Sequence, residues 1–121
     1  MEPERVYIAG PYQPKDCTLH AASQIAQRNV DHAVEAGNRL IEQGHYVFIP
    51  HLSHYVHTHY SCKRDYFVWW YREDLTFLKH WATVVYMLKG WTFSSGAVRE
   101  FDRAKELGLK VWFEEKEVIR D

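Results

Sequence analysis

The feature that most constrains this 121-residue chain is an alternation of two periodicities along its length. Four short runs of strand formers, Arg5-Val-Tyr-Ile-Ala9, His45-Tyr-Val-Phe-Ile-Pro50, Thr83-Val-Val-Tyr-Met-Leu88 and Lys110-Val-Trp-Phe113, are separated by three longer stretches with helical spacing. The first stretch runs from about Leu19 to Gln43, with apolar residues at Ala26, Val30, Ala33, Val34, Gly37, Leu40 and Ile41 and a stop at Gly44. The second covers about Arg64 to Trp81. The third covers Ser95 to Leu107, with Ala97, Val98, Phe101, Ala104 and Leu107 inward and Gly108 as its stop.

An order of β-α-β-α-β-α-β with short connections calls for right-handed crossovers between parallel strands. The predicted fold is therefore α/β: a three-layer, flavodoxin- or Rossmann-like parallel sheet of four or five strands with helices on both faces. The unbroken apolar run Thr83–Leu88 fits a strand covered on both sides. A chain of this length makes one domain, 1–121, because domains hold about 100–150 residues.

Composition narrows the function classes. Lys+Arg 15 against Asp+Glu 16 leaves a net charge of −1, which gives no attraction for a nucleic-acid polymer or an anionic membrane. No apolar run nears the ~20 residues of a membrane span, and the acidic start Met-Glu-Pro-Glu-Arg argues against a signal peptide, so a cytoplasmic protein is expected. Cys17 and Cys62 are read as free thiols. Tyr66, Phe67, Trp69, Trp70 and Tyr71 circle their helix, more aromatic surface than one face can bury, and predict a homodimer through it.

In parallel sheets of this kind ligands bind beyond the carboxyl ends of the strands, where the strand order reverses. The strand 3 exit, Lys89-Gly-Trp-Thr-Phe-Ser-Ser-Gly-Ala-Val-Arg-Glu100, puts Ser94, Ser95 and Gly96 at a helix N-terminus. Such an end suits an anion, often a phosphate; the plain alternative is N-capping by one of the serines. Glu100 lies on a helix flank of small residues, Gly96, Ala97 and Ala104, where it is placed to attack something bound over the helix start. Its alternative is a solvated glutamate paired with Arg103 or another nearby cation.

Asp74 sits in the seam Phe67, Tyr71, Asp74, Leu78, Trp81, among apolar groups that would raise its pKa as a general acid requires. Its alternative is a cap or an ion pair, while Glu73 beside it is expected to point to water. His51, His54, His57 and His59 lack the acidic or cysteine partners of a metal site, so no metal is expected. His51 or His54 is expected at the exit of strand 2, facing the ligand.

Val6-Tyr-Ile-Ala-Gly10, Asp74-Leu-Thr-Phe-Leu78 and Ser94-Ser-Gly-Ala-Val-Arg-Glu100, each at a strand end or on the helix before one, together resemble the nucleoside 2-deoxyribosyltransferase superfamily. The site pattern is closest to the branch that hydrolyses nucleoside 5′-monophosphates. The resemblance spans about residues 5 to 113. It implies Glu100 as a nucleophile on C1′ of the sugar, Asp74 as the acid beside the base, and Tyr7 as the tyrosine that holds the nucleophile's carboxylate. It implies Ser94 and Gly96 as contacts to the 5′ end of the nucleotide; Gly10 and Ser95 are expected as further substrate contacts, and no cofactor is expected.

The transferases usually carry an acid at the position of Ser94, whereas a serine goes with a 5′-phosphate, which a carboxylate would repel. Base exchange between nucleosides is the second expectation, and a non-enzymatic nucleotide-binding module the third. The Gly10-Pro-Tyr-Gln-Pro-Lys15 loop departs from the glycine-rich, arginine-bearing loop of the deoxynucleotide hydrolases, leaving Lys15 or a backbone group to serve the phosphate. Arg99 stands where those hydrolases have an aromatic residue.

Overall fold

The computed structural model describes residues 2–12, 19–52 and 66–115, with the side chains of 2–12, 24–52 and 72–115. Strands β1 (Arg5–Ala9), β2 (Tyr46–Phe48), β3 (Val84–Met87) and β4 (Lys110–Phe113) alternate with helices α1 (Leu19–Glu42), α2 (Tyr66–His80) and α3 (Ser95–Glu106). Single turns of 3-10 helix follow β2 at Pro50–Leu52 and β3 at Trp91–Phe93.

All strand pairs are parallel, in the order β2-β1-β3-β4, so the fold is the expected three-layer parallel sheet, with four strands. The two central strands stay paired to their carboxyl ends, where the Leu88 N–H donates to Ala9 O at 2.8 Å, and only the connections leaving them diverge. From β1 the chain crosses to β2 on one side and comes back to β3 on the other, which opens a crevice between the two exits.

Alternation along β1 sorts the core into two layers. Val6 and Ile8 pack with Ala33, Ala36 and Leu40 of α1, whereas Tyr7 and Ala9 pack with Leu78 of α2 and with Ala97 and Ala104 of α3. Val6 through Ala9 are all 0% exposed. A run sealed on both faces admits a polar side chain only where its polar atom finds a partner, and Tyr7 is that exception.

The buried stripe of α1 is narrower than its periodicity suggests. Ala26, Val30, Ala33, Ala36 and Leu40 are buried, while Val34 and Ile41 stand 40% and 55% exposed on the flank. Close approach decides this: a Cβ on Gly37 would lie 2.7 Å from Ile49 Cδ1, so small residues take the line of contact with β2 and the larger ones fall outside it. The two expected helix stops hold, with Gly44 at φ 97° and Gly108 at φ 73°, conformations that carry no penalty for glycine.

Lys15, Cys17, His54, His57, His59 and Cys62 lie outside the described residues, as do the side chains of Tyr66, Phe67, Trp69, Trp70 and Tyr71 on which the dimer expectation rests. Among the described residues no helix is long and apolar enough to cross a membrane.

Candidate active site

The Tyr7 hydroxyl, at the middle of β1, donates to Glu100 Oε2 on α3, joining residues 93 positions apart. β1 aims Tyr7 at the α2/α3 layer because its neighbours Val6 and Ile8 are claimed by α1. Glu100 is not paired with Arg103, whose guanidinium reaches Glu106 at 3.4 Å instead. Glu100 keeps some accessible surface, yet burial of its carboxyl pushes its pKa up to about 8. The Tyr7 hydrogen bond opposes that rise and the charge of Asp74 adds to it. Burial, and then the charge of Glu100, push the Tyr7 phenol well above its ordinary value, so it remains a donor at any working pH.

Asp74 reaches the same place from α2. Its Oδ1 is buried with no hydrogen-bond partner, and Asp74 makes no ion pair among the described residues. Burial raises its pKa to about 7, with the charge of Glu73 as the second cause. Glu73 beside it is partly buried.

Two carboxyls that both resist ionisation, one beside the other, titrate as a pair. The hydrogen bonds set the two apart. Glu100 has a phenol to stabilise its anion, whereas Asp74 Oδ1 has no donor among the described residues. That arrangement suits a nucleophile and a general acid side by side.

At the start of α3, Ser94 is the N-cap: its Oγ accepts from the Ala97 N–H at 3.2 Å. The capping alternative is thus realised at Ser94, and Ser95 is the first, exposed residue of the helix. Capping uses the serine oxygen as acceptor and leaves its O–H free to donate. The first-turn N–H groups of Ser95 and Gly96 have no acceptor inside a helix. A Cβ added at Gly96 would meet only Ser94 Oγ, at 3.9 Å, so the fold itself does not require glycine there.

Gly10 is different. A Cβ there would lie 2.7 Å from Leu88 Cβ and Cδ1, so the β1 exit can pass the β3 exit only through a glycine. The crevice wall that β1 contributes is therefore built on close backbone packing.

His51 is buried at 5% exposure and turned toward that wall, not the carboxyls. Its Nε2 lies 3.0 Å from the Pro11 carbonyl, so this nitrogen carries the proton and donates. Burial lowers its pKa to about 4, which keeps the ring neutral and leaves Nδ1 buried without a partner. Asn29 on α1 donates to the next carbonyl, Tyr12, at 2.7 Å. Asn29 is a residue that sequence reasoning passed over; its position on the flank of the α1 stripe was the only available signal.

Also missed was Glu114, the residue just past the last predicted strand, Lys110–Phe113. Its carboxylate meets His32, Arg39 and the Lys89 backbone N–H. The structure thus brings Tyr7, Asp74 and Glu100 together, places Ser94, Ser95 and Gly96 at the start of the helix that carries Glu100, and puts Gly10 and His51 at the exits of β1 and β2. Among the described residues no group of three His, Cys, Asp or Glu could hold a metal ion.

Residues 4–116 match the family described as Domain of unknown function (DUF1937), nearly the whole chain, and the chain belongs to that family. No curated protein and no solved structure matches it.

Proposed function

We propose that this member of the DUF1937 family is an N-glycosidase that hydrolyses the base–sugar bond of a nucleoside 5′-monophosphate, using Glu100 as nucleophile and Asp74 as acid. The observation that carries the reading is the pairing of a hydrogen-bonded carboxyl, Glu100, with an unpartnered buried one, Asp74, on the crevice side of the sheet. The motif resemblance supplies the substrate class.

In the first step Glu100 forms a bond to C1′ as the N-glycosidic bond breaks. The electron pair leaves with the base, and Asp74 delivers its proton there. In the second step water attacks C1′, its proton passes to Asp74, and the glutamyl ester bond breaks to return the Glu100 carboxylate held by Tyr7. Ser94 and the first-turn N–H groups of α3 bind the 5′-phosphate, each charge-assisted bond contributing about 1.5–3 kcal/mol.

A panel of nucleoside monophosphates and nucleosides, with free base separated by chromatography, tests the reading. Release of base from a monophosphate, much faster than from its nucleoside, is expected; Ser94→Asp then selectively damages the phosphorylated substrate. Preference for unphosphorylated nucleosides, with release that needs an added second base, transfers the assignment to base exchange. Nucleotide binding in calorimetry without any cleavage leaves a binding module.

A further inference from the structure

The loop from β3 to α3 is a stiff arm. Trp91 N–H donates to Leu88 O at 3.1 Å, Phe93 N–H to Gly90 O at 3.1 Å, and Ser94 N–H to Trp91 O at 3.0 Å. The Trp91 ring packs on Phe101 and Phe113, with centroids 4.7 and 6.1 Å away. These turn bonds and ring contacts couple the position of Lys89 to that of Ser94 and the first turn of α3.

Lys89 is held by a residue 25 positions away. The Glu114 carboxylate accepts the Lys89 backbone N–H at 2.8 Å and Arg39 Nη2 at 2.8 Å, and pairs with His32 Nε2 at 2.8 Å. Its own N–H donates to Met87 O at 2.9 Å, so β4 delivers the carboxylate in register beside the β3 exit. Although burial alone would raise the pKa of Glu114, the Lys89 N–H, His32 and Arg39 together hold it below the ordinary value. The cost of placing three groups from α1 and the β3 exit around one carboxylate, only 13% exposed, is out of proportion to capping a strand end.

We propose that Glu114 is a positioning residue for the reaction: through the Lys89 N–H it sets the arm Lys89–Ser94, and with it the start of α3, against the 5′-phosphate. This rests on the phosphate reading of that helix end given above. Glu114 touches neither reacting atoms nor substrate. Its partners His32 and Arg39 keep it aimed, so their loss should act through the same arm.

Two variants of the full chain, Glu114→Ala and Glu114→Gln, test it with two readouts. By hydrogen exchange and amide resonances, Glu114→Ala speeds exchange at Lys89 by about ten-fold or more and shifts Ser94–Ala97, while Leu75–Lys79 on α2 stay in place. Glu114→Gln keeps an acceptor for Lys89 and retains most of the protection. In steady-state kinetics Glu114→Ala raises KM for the monophosphate about ten-fold with kcat within about three-fold, leaves KM for the nucleoside unchanged, and is partly rescued by Glu114→Gln. Unchanged Lys89 exchange, or equal loss on both substrates, overturns the proposal. If the wild-type protein cleaves neither substrate, the nucleotide reading falls, and the exchange readout alone decides whether Glu114 holds the arm.

Discussion

Two glutamates on opposite sides of the same sheet end are treated in opposite ways. Glu114, beside α1, is surrounded by His32, Arg39 and the Lys89 N–H, and its pKa falls despite burial. Glu100, in the α2/α3 layer, accepts from Tyr7 and has Asp74 as a neighbour of like charge, and burial raises its pKa to about 8. A fully satisfied carboxylate holds parts in place. An under-satisfied one keeps free energy that a ligand or a reacting carbon can release, which is why perturbed carboxyls gather at sites of chemistry.

The strongest way to break this contrast is Glu100→Gln. The amide keeps the volume and accepts from Tyr7, so the fold stays, but no nucleophile remains. A fall in kcat of roughly 10³ or more is expected, with unchanged circular dichroism. More than about a tenth of the wild-type rate would remove Glu100 from the mechanism and leave it a buried structural acid.

Tyr7→Phe removes the donor that distinguishes Glu100 from Asp74. The hydrogen bond lowers the Glu100 pKa, so its loss raises that pKa further and the acid limb of the kcat/KM profile moves to higher pH. A rate loss of about 10- to 100-fold at neutral pH, shrinking as pH rises, is expected. A loss that does not depend on pH would mean that Tyr7 acts by packing alone.

Stability sharpens the comparison, because the two sides should respond to pH with opposite sign. The folded pKa of Asp74 is raised, so its contribution is fully present below the unfolded value near 3.8 and is lost as pH rises toward about 7. Asp74→Asn is thus neutral in acid and raises Tm above pH 7, by about 5 °C. The folded pKa of Glu114 is lowered, so its contribution is present above its unfolded value near 4.5 and is lost as pH falls through the folded pKa. Glu114→Gln therefore lowers Tm at neutral pH, and the gap closes in acid. Thermal melts of both variants from pH 4 to 9 decide it, and parallel curves for the two would abolish the distinction.

The smallest effect belongs to Gly96→Ala. With only Ser94 Oγ near the added methyl, Tm should change by less than about 2 °C. If the phosphate lies over the start of α3, KM for the monophosphate rises several-fold; an unmoved KM would place the phosphate elsewhere in the crevice.

The order of elements, the two glycine stops and the faces of Asp74 and Glu100 were all legible in the linear chain, because each follows from spacing within one element. Period two sent Tyr7 to one layer and Val6 to the other. Period 3.6 put Asp74 in line with Leu78 and Trp81. What spacing cannot carry is the partner of a side chain when that partner is tens of residues away. Tyr7 meets Glu100 across 93 positions, His51 meets Pro11 across 40, and Glu114 meets His32 across 82. For Tyr7 the expectation of that contact came from a motif resemblance and not from spacing. For Glu114 and Asn29 nothing in the sequence pointed to their partners, nor did anything point to the Pro11 carbonyl as a partner of His51. Close packing made the remaining choices, turning Val34 and Ile41 outward and requiring glycine at position 10, since which residues collide is settled only when two elements have been brought together.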